Sequence, residues 1–277
     1  MLEGKTVFIT GGAQGIGLGI AVACAERGAR VAIADINSEV LESARAGLSE
    51  LTEARAYVLD VTDRAAAAAV ADQVEADLGP VHVLFNNAGV ADSVAPSVMT
   101  GELWDWVVDV NVNGVYNCLQ AFLPRMIERN EGGFIANTAS VAGLLAGGAG
   151  FAYAASKFAV VGLSESLRAE LAPRSISVSV VCPGQVATSI MMNTRGLRPE
   201  DAEPHTEKVR QILDGAHESL LQHGTPADVA GRVIVEATLA GVPYVFTDDT
   251  WGPFLEMRHA ALMDSIERCF PEAVEAS

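Results

Sequence analysis

Near its N-terminus the chain reads Thr6-Val7-Phe8-Ile9-Thr10-Gly11-Gly12-Ala13-Gln14-Gly15-Ile16-Gly17. The first five residues are apolar or β-branched, which is typical of a buried strand. The glycines that follow let the backbone turn tightly and approach a pyrophosphate, which then lies at the N-terminus of the next helix. Their Gly-x-x-x-Gly-x-Gly spacing is a variant of the commoner dinucleotide-binding fingerprint. The stretch therefore predicts a strand, a phosphate-binding turn and a helix.

Strand-like and helix-like segments alternate along the rest of the chain. Further strands are predicted at 30–34, 56–59, 81–85, 134–137, 176–181 and 243–246, with helices at 15–27, 39–51, 64–78 and 103–129. Short, continuous apolar strands between helices are typical of a parallel sheet that is covered on both faces. Neither a linker rich in Pro, Gly or Ser nor an internal repeat divides the sequence. We therefore predict one doubly wound α/β domain over residues 1–277.

Three parts are expected within this domain. Residues 5–185 form the dinucleotide-binding core, residues 187–225 an insertion and residues 250–277 a helical tail. The insertion carries apolar residues at helical spacing, namely Val209, Ile212, Leu213, Ala216 and Leu220. Long excursions at the carboxyl ends of parallel strands often act as lids over a substrate. A packed surface helix is the alternative that this spacing leaves open.

Charge and cysteine usage exclude several functions. The net charge of −17 argues against nucleic-acid binding, which needs clustered Lys and Arg. Four cysteines lie far apart and match neither a disulfide nor a zinc pattern, and the five histidines are equally scattered. We therefore expect no metal and reduced thiols in a cytoplasmic protein. The N-terminus also lacks the pattern of a signal peptide.

The run from Val141 to Leu163 has the length and apolar character of a membrane span. However, it contains Tyr153, Ser156, Lys157 and five glycines. Its helical periodicity begins only near Phe151. We therefore predict a buried loop and helix, and no membrane association.

Tyr153 and Lys157 lie four residues apart in this helix, so their side chains share one face. A free tyrosine, with a pKa of about 10, is a poor base at neutral pH. A nearby cation favours the phenolate, so we expect Lys157 to lower the pKa of Tyr153 and make it a usable acid or base. The spacing alone also occurs by chance in many helices.

Asp35 ends the second predicted strand, 18 residues beyond Gly17. An acidic residue at this place accepts hydrogen bonds from the adenosine ribose hydroxyls and repels a 2′-phosphate. No Arg or Lys lies between Gly11 and Gly17 to bind such a phosphate. The residue pattern thus favours NAD over NADP, although Asp35 taken alone is also compatible with a simple turn.

Further motifs follow in order along the chain. They are Asp60-Val61, Asn86-Asn87-Ala88-Gly89, Asn111 in Asn-Val-Asn-Gly, Ser140 at 13 residues before Tyr153, and Pro183-Gly184 followed by Val186 and Thr188. With these motifs the chain resembles the classical short-chain dehydrogenases/reductases over at least residues 5–240. The resemblance implies a Rossmann-type, doubly wound, mostly parallel seven-stranded sheet with helices on both faces.

The resemblance also implies roles for individual residues. Tyr153 is the expected general base in alcohol oxidation and the acid in carbonyl reduction, and Lys157 lowers its pKa and binds the nicotinamide ribose. Ser140 holds and polarises the substrate oxygen, and Asn111 fixes a water that links Lys157 to solvent. The residues implied to bind NAD are Gly11, Gln14, Gly15, Ile16, Gly17, Asp35, Ile36, Asp60, Val61, Asn87, Ala88, Gly89, Tyr153, Lys157, Pro183, Gly184, Val186 and Thr188.

Residues 141–151 and 189–194 should border the substrate pocket. The candidate substrate-binding residues are Ser140, Leu144, Tyr153, Met191 and Met192, and Leu145 lies among them. Apolar walls favour a hydrophobic secondary alcohol or ketone. Simple core packing of the same side chains is the alternative. Because these two segments contain no clustered Arg or Lys, nothing in them indicates a phosphorylated or acyl-carrier substrate.

The tail departs from the family pattern. It carries residues at helical spacing, namely Leu255, His259, Leu262, Ile266 and Cys269, and is similar to a family branch that acts on aromatic or bulky alicyclic alcohols. We interpret His259 as a packed residue rather than a ligand. The tail puts the family's usual tetramer in question, so we expect either a homodimer through residues 103–129 and 151–171 or a homotetramer.

Together these patterns predict an NAD(H)-dependent oxidoreductase that interconverts a hydrophobic secondary alcohol and its ketone. Aromatic and alicyclic alcohols are the candidate substrates. An NADPH-dependent carbonyl reductase is an alternative within the same fold. A catalytically silent dinucleotide-binding sensor or scaffold is an alternative of another class. The presence of Asn111, Ser140, Tyr153 and Lys157 argues against that last alternative.

Overall fold

The computed structural model describes residues 2–147, 150–199 and 206–270. Its strands are β1 Thr6–Thr10, β2 Arg30–Asp35, β3 Ala54–Val58, β4 Val81–Asn86, β5 Gly133–Thr138, β6 Ile176–Cys182, β7 Val186–Ala187, β8 Thr225–Pro226 and β9 Tyr244–Phe246. Its α-helices are α1 Gly15–Ala25, α2 Ser38–Ser49, α3 Arg64–Leu78, α4 Gly101–Val108, α5 Gly114–Arg129, α6 Phe151–Leu171, α7 Ile190–Leu197, α8 Glu207–His223, α9 Ala227–Leu239 and α10 Gly252–Cys269.

Seven strands form one sheet in the order β3-β2-β1-β4-β5-β6-β9, and every neighbouring pair is parallel. The chain winds from β1 outward to β3, returns to the centre and then winds the other way from β4. This arrangement confirms the predicted doubly wound sheet. Strand β3 begins at Ala54, two residues before the predicted start, because Ala54 already pairs with Val31 of β2.

The sheet has an apolar core on each face. Along β1, Phe8 packs with the helices α3, α5 and α6, whereas Val7 and Ile9 pack with α1, α2 and α9. All three side chains are fully buried. Because successive side chains of a strand point to opposite faces, a strand covered on both sides must be apolar at every position.

The helix predicted over residues 103–129 consists of three pieces. Helix α4 is followed by a π-helical turn at Asp109–Asn113, and α5 continues from Gly114. A π-helical turn accommodates an extra residue in one turn and is frequent at functional sites. Here it carries Asn111, which the sequence indicated as a catalytic candidate.

The insertion at 187–225 contains α7, α8 and a small parallel pair, in which β7 lies beside β8. Residues 200–205 of the insertion lie outside the described residues. The amphipathic helix predicted from residues 209–220 is α8. Its Leu220 and Leu221 line the large cleft described below, so this helix contributes to a ligand-accessible wall.

The tail forms α10, of which no residue is buried. The predicted stripe therefore does not pack into this chain's core, and His259 is exposed. The interpretation of His259 as a packed residue is wrong within this chain, because helical spacing does not show which surface, if any, a helix covers. Residues 271–277 of the predicted tail lie outside the described residues.

The apolar run 141–163 forms a short 3₁₀ turn at Val141–Gly143 and the first half of α6, while residues 148–149 lie outside the description. Among the residues that the structure describes, no helix combines the length and the apolar character that crossing a membrane requires.

Helices α1 and α9 are in backbone contact, which yields a prediction on stability. A Cβ at Gly231 would lie 2.2 Å from the carbonyl carbon of Gly19. We expect Gly231→Ala to reduce the free energy of unfolding by about 1–3 kcal/mol, because two helix backbones cannot easily move apart. The midpoint of thermal unfolding followed by circular dichroism should fall accordingly.

Gly47→Ala is the matched control, since Gly47 lies on helix α2 with nothing within 4 Å of its added Cβ. Replacing an exposed helical glycine by alanine should raise the free energy of unfolding by up to about 1 kcal/mol. A Gly231→Ala protein as stable as the parent would contradict the close helix contact.

Candidate active site

A cleft of about 590 Å³ lies at the carboxyl ends of the strands, where the strand order reverses between β1 and β4. Open α/β sheets bind their ligands at such a switch point. The residues predicted to bind a dinucleotide that line this cleft are Gly11, Gln14, Gly15, Ile16, Asp35, Ile36, Asp60, Val61, Asn87, Ala88, Gly89, Tyr153, Lys157, Pro183, Gly184, Val186 and Thr188. Motifs that are far apart in the sequence thus line the same cleft.

The glycine turn provides the floor of the cleft. Gly11 and Gly15 have φ values of +61° and +53°, in the left-handed region where a side chain would be strained. Gly17 does not line the cleft; a Cβ there would lie 2.0 Å from the Gly11 carbonyl oxygen. Gly17 therefore permits the close contact between turn and helix α1, while Gly11 and Gly15 present backbone to a ligand.

Thr10 joins this turn to the segment after β4. Its Oγ1 accepts hydrogen bonds from the backbone N–H groups of Asn87 (2.9 Å) and Ala88 (3.0 Å). In the other direction, the Asn87 side-chain amide donates to the carbonyl oxygens of Thr10 (3.1 Å) and Gly11 (3.2 Å). These four hydrogen bonds hold the two sides of the switch point together.

Asp35 lies at the end of β2 with its carboxylate on the cleft wall. The carboxylate accepts hydrogen bonds from the backbone N–H groups of Ala13 (3.3 Å) and Asn37 (3.1 Å). Since a carboxylate offers about four lone-pair sites, acceptor capacity remains for a ligand. Among the described lining residues, Lys157 is the only Lys or Arg, so the Asp35 end of the cleft is acidic.

Tyr153 and Lys157 both reach the cleft from the first turns of α6, as the four-residue spacing predicted. Lys157 is buried, and its Nζ donates to the Thr138 carbonyl oxygen (2.9 Å) and lies 5.6 Å from the centre of the Tyr153 ring. Burial lowers the pKa of Lys157 to about 8. The ammonium is therefore mostly protonated at neutral pH, close to the phenol.

The pKa of Tyr153 differs from the expectation. Burial raises it above the ordinary value, and a hydrogen bond with Ser140 opposes part of that rise. The expected net lowering by Lys157 is thus wrong for the protein alone, because removing the phenolate from water outweighs the neighbouring groups. Ser140 also accepts a hydrogen bond from the Ala142 N–H (3.1 Å), which orients its hydroxyl at the start of the 3₁₀ turn.

Asn111 is fully buried and lies behind the cleft rather than on its wall. Its amide exchanges hydrogen bonds with both backbone groups of Val90, each at 2.9 Å, and donates to Ser156 Oγ at 3.0 Å. Ser156 Oγ in turn donates to the Tyr153 carbonyl oxygen (2.7 Å). Both amide hydrogens of Asn111 are therefore used, one in a bond from the π-helical turn to Val90 and one in a bond to α6.

The substrate end of the cleft differs from the sequence prediction. Leu144 packs against the apolar core, Met191 lies away from the cleft, and Met192 is largely exposed. The reason is helical geometry: on α7 the residues Ile190, Asn193 and Leu197, spaced by three and four, face the cleft. To predict whether Met191 and Met192 face the pocket, one must know how α7 is rotated about its own axis. A short sequence segment does not reveal this.

Several lining residues were missed by the sequence reasoning. They are Trp106 and Val110 near the π-helical turn, Leu197 on α7, and Leu220 and Leu221 on α8. Ile190 and Asn193 lie within residues 189–194, which were predicted to border the pocket, but they were not named individually. The helical spacing that included Leu220 was the available signal for α8. For Trp106 and Val110 no local pattern exists, because only the packing of α4 and the π-helical turn against α6 brings them to the cleft.

A second missed contact supports the loop Pro183–Gly184. The Gly184 N–H donates to Thr247 Oγ1 (3.1 Å), and a Cβ at Gly184 would lie 2.2 Å from Asp248 Oδ2 and 2.4 Å from Trp251 Nε1. The segment after β9 thus closes against the back of this loop. Glycine is required at position 184 by this close approach.

Comparison with known proteins agrees with the fold and the motifs. Residues 5–198 match the sequence profile of the family described as short chain dehydrogenase. A 3β-hydroxysteroid dehydrogenase 2 of Eggerthella lenta is 35% identical over 232 residues, 83% of this chain and 86% of the relative. A C alpha-dehydrogenase of a Sphingobium species is 32% identical over 268 residues, 95% of this chain and 87% of the relative.

Among solved structures, a short chain dehydrogenase/reductase from Burkholderia phymatum in complex with NAD superposes with a TM-score of 0.89. It is 31% identical, and the match covers 95% of this chain and 96% of that one. The protein is therefore a member of the short-chain dehydrogenase/reductase family and an oxidoreductase.

The site fits a nicotinamide dinucleotide on its own geometry. Gly11 and Gly15 form a cradle in which added side chains would press against Ala88 and Thr188, with α1 beginning directly behind them. Asp35 would receive the adenosine ribose, the pair Asp60 and Val61 would flank the adenine, and Lys157 would lie at the nicotinamide ribose. A cofactor held in this way would present its reactive ring beside Tyr153.

The buried Lys157 predicts how stability depends on pH. Between its folded pKa of about 8 and its ordinary value of 10.5, the unfolded chain retains a proton that the folded chain has released. The free energy of unfolding therefore rises with pH between these two pKa values. Below the folded pKa, the full cost of burying the Lys157 ammonium destabilises the folded protein. Relative to Lys157→Met, the parent should gain on the order of 2 kcal/mol between about pH 7 and about pH 9.5.

Urea unfolding of both proteins at the two pH values, without added cofactor, measures this difference. Taking the difference between the two proteins removes the contribution of every other titrating group that the substitution leaves unchanged. A difference that stays constant or falls with pH would show that Lys157 is not buried as an ammonium.

Proposed function

We propose that the protein is an NAD(H)-dependent alcohol dehydrogenase that interconverts a hydrophobic secondary alcohol and its ketone. The observation that carries this proposal is the shared wall of the cleft. A glycine cradle and Asp35 lie at one end, and the hydroxyls of Ser140 and Tyr153 lie with Lys157 at the other. Nucleotide binding and acid–base chemistry are thus within the span of one dinucleotide.

In the proposed reaction Tyr153 exchanges a proton with the substrate oxygen. Ser140, whose hydroxyl lies near enough to Tyr153 to lower its pKa, holds that oxygen in line with the phenol. When bound, NAD supplies the two-electron acceptor to which the substrate carbon transfers its hydride. The Lys157 ammonium favours the phenolate as the proton arrives or leaves, which opposes part of the cost of burying the Tyr153 phenolate.

Asp35 and the scarcity of basic groups support NAD rather than NADP. A 2′-phosphate at the adenosine ribose would lie beside the Asp35 carboxylate, and the described lining offers no Arg or Lys at that end. Like charges brought together in a partly buried site are unfavourable by several kcal/mol. Ile36, the next residue, is 45% exposed and offers an apolar edge rather than a cation.

The substrate end supports a hydrophobic substrate. Its walls come from Trp106, Val110, Ile190, Leu197 and Leu220, with Asn193 as the polar exception on α7. Leu197 is 43% exposed, although it faces the cleft, so a bulky apolar substrate would cover it. The relative from Eggerthella lenta, whose name specifies a hydroxysteroid, is compatible with a bulky alicyclic substrate.

Two further expectations accompany this proposal. We propose that the protein acts in the cytoplasm, because three of its four cysteines are buried free thiols and none forms a disulfide among the described residues. We also propose that the protein forms either a homodimer through residues 103–129 and 151–171 or a homotetramer. The molecular mass in solution would test this proposal.

Tyr153→Phe tests the acid–base role. The substitution keeps the ring but removes the proton-transferring hydroxyl, so kcat for a bulky secondary alcohol should fall roughly 10²- to 10⁴-fold. Absorbance of the reduced cofactor during oxidation of a panel of aromatic and alicyclic alcohols measures the rate. Tyr116→Phe, on an exposed ring outside the cleft, should leave kcat unchanged. Full activity of Tyr153→Phe would refute the proposed chemistry.

The ratio of kcat/KM for NAD and NADP tests the role of Asp35. We expect the parent to prefer NAD by roughly a hundredfold, because the carboxylate repels a 2′-phosphate. The double variant Asp35→Ser with Ile36→Arg should reduce or reverse this preference. As a control, Asp60→Asn removes a different carboxylate from the same cleft, and this variant should retain the preference for NAD. A parent that prefers NADPH would instead support the carbonyl reductase alternative.

A further inference from the structure

Residues Val90–Asp92 form a segment, after the turn that follows β4, to which several parts of the active site are bonded. On one side the Asn111 side chain forms two hydrogen bonds with the backbone of Val90. The Val90 N–H donates to Asn111 Oδ1, and Asn111 Nδ2 donates to the Val90 carbonyl oxygen. Both distances are 2.9 Å. The side chain of Asn111 and the backbone of this segment therefore determine each other's position.

On its other side the segment is bonded to α7. The Ala91 N–H donates to Thr194 Oγ1 (2.9 Å), and Arg198, directly after α7, forms an ion pair with Asp92 (Nε to Oδ2, 3.2 Å). Thr194 is 3% exposed, and the Asp92 and Arg198 side chains are 2% and 9% exposed. Hydrogen bonds and ion pairs buried to this degree are costly to break, since water cannot replace the lost partner.

The segment also packs against the start of α6. A Cβ at Gly150 would lie 2.4 Å from the Asp92 carbonyl oxygen and 2.7 Å from the Ser93 Cα, so the two backbones are in contact. From Asn111 a further hydrogen bond runs to Ser156, and from Ser156 one runs to the Tyr153 carbonyl oxygen. The segment thus has little freedom to shift without displacing Asn111 or α6.

The opposite face of α7 forms part of the cleft. Ile190, Asn193 and Leu197 line it, whereas Thr194 points to the segment. One short helix therefore contacts the space for the substrate on one face and the support of Asn111 on the other. The buried Thr194 hydroxyl and the Asp92–Arg198 ion pair join the two.

We propose that Thr194, together with the Asp92–Arg198 ion pair, is a positioning residue for the reaction. It holds Val90–Asp92 so that Asn111 keeps the bonds that orient α6 and Tyr153. It also couples the placement of α7 over the substrate to the proton-transfer side of the site. The kinetic part of this inference rests on the dehydrogenase activity proposed above, whereas its structural part does not.

Thr194→Val tests the inference, because valine has nearly the same shape but offers no acceptor to the Ala91 N–H. We expect kcat to fall about tenfold, the equivalent of one buried hydrogen bond, while KM for NAD stays unchanged. Thr194→Ser restores the hydroxyl and should recover most of kcat. Thr206→Val removes a threonine hydroxyl from the exposed start of α8 and should leave kcat unchanged.

Amide hydrogen exchange followed by mass spectrometry provides a readout that does not depend on activity. In Thr194→Val, and not in Thr194→Ser, peptides that contain Val90, Ala91 and the turn Asp109–Asn113 should exchange several-fold faster. If Thr194→Val does not fold, Asp92→Asn provides the same comparison, since it removes the charge of the ion pair and preserves the shape.

The outcomes separate the two proposals. Unchanged exchange around Asn111, or an equal loss of kcat in Thr194→Val and Thr194→Ser, would overturn the positioning role. A change confined to KM for the alcohol would also overturn it, because α7 would then act on the substrate alone. Faster exchange together with a fully active Tyr153→Phe protein would instead refute the proposed chemistry and leave the coupling intact.

Discussion

The hydrogen bonds that Thr10 makes across the switch point are the interaction on which the site depends. At this point β1 and β4 lie side by side, but the segments that follow them leave in opposite directions. Thr10 Oγ1 accepts from Asn87 and Ala88, and Asn87 returns two bonds to the glycine turn. These bonds join the glycine turn to the segment leading to Gly89 and Val90 beyond the point where the pairing of β1 with β4 ends.

Behind the cleft, buried polar side chains form hydrogen bonds with one another and with the backbone. Asn111 bonds Val90 and Ser156, and farther along the sheet Asn86 donates to Asn137, which donates to Ser164 on α6. Each such group would be costly to bury without a partner, so the geometry of the network is narrowly restricted. Consequently Tyr153 and Lys157 are presented by a helix that polar bonds attach to both the sheet and the π-helical turn.

Much of the architecture could be predicted from local patterns. Continuous apolar strands such as Thr6–Thr10 indicate burial on both faces, and a glycine turn between strand and helix indicates where phosphates bind. The spacing of Tyr153 and Lys157 placed both on one helical face because that geometry is local. In contrast, assigning Met191 and Met192 to the pocket failed, since α7 turns Thr194 toward the segment Val90–Asp92 and a different set of side chains toward the cleft, which no local pattern shows.

The sequence by itself determined the succession of strands and helices along the chain, the glycine turn and the set of candidate catalytic side chains, because these follow from periodicity and from residue chemistry over short distances. The tertiary structure alone decided the net pKa direction of Tyr153, the exposure of His259 and the joining of α7 to Asn111 through Val90–Asp92. The physical reason is that desolvation and hydrogen bonding depend on which distant residues surround a group. Those neighbours are set only when the chain is packed.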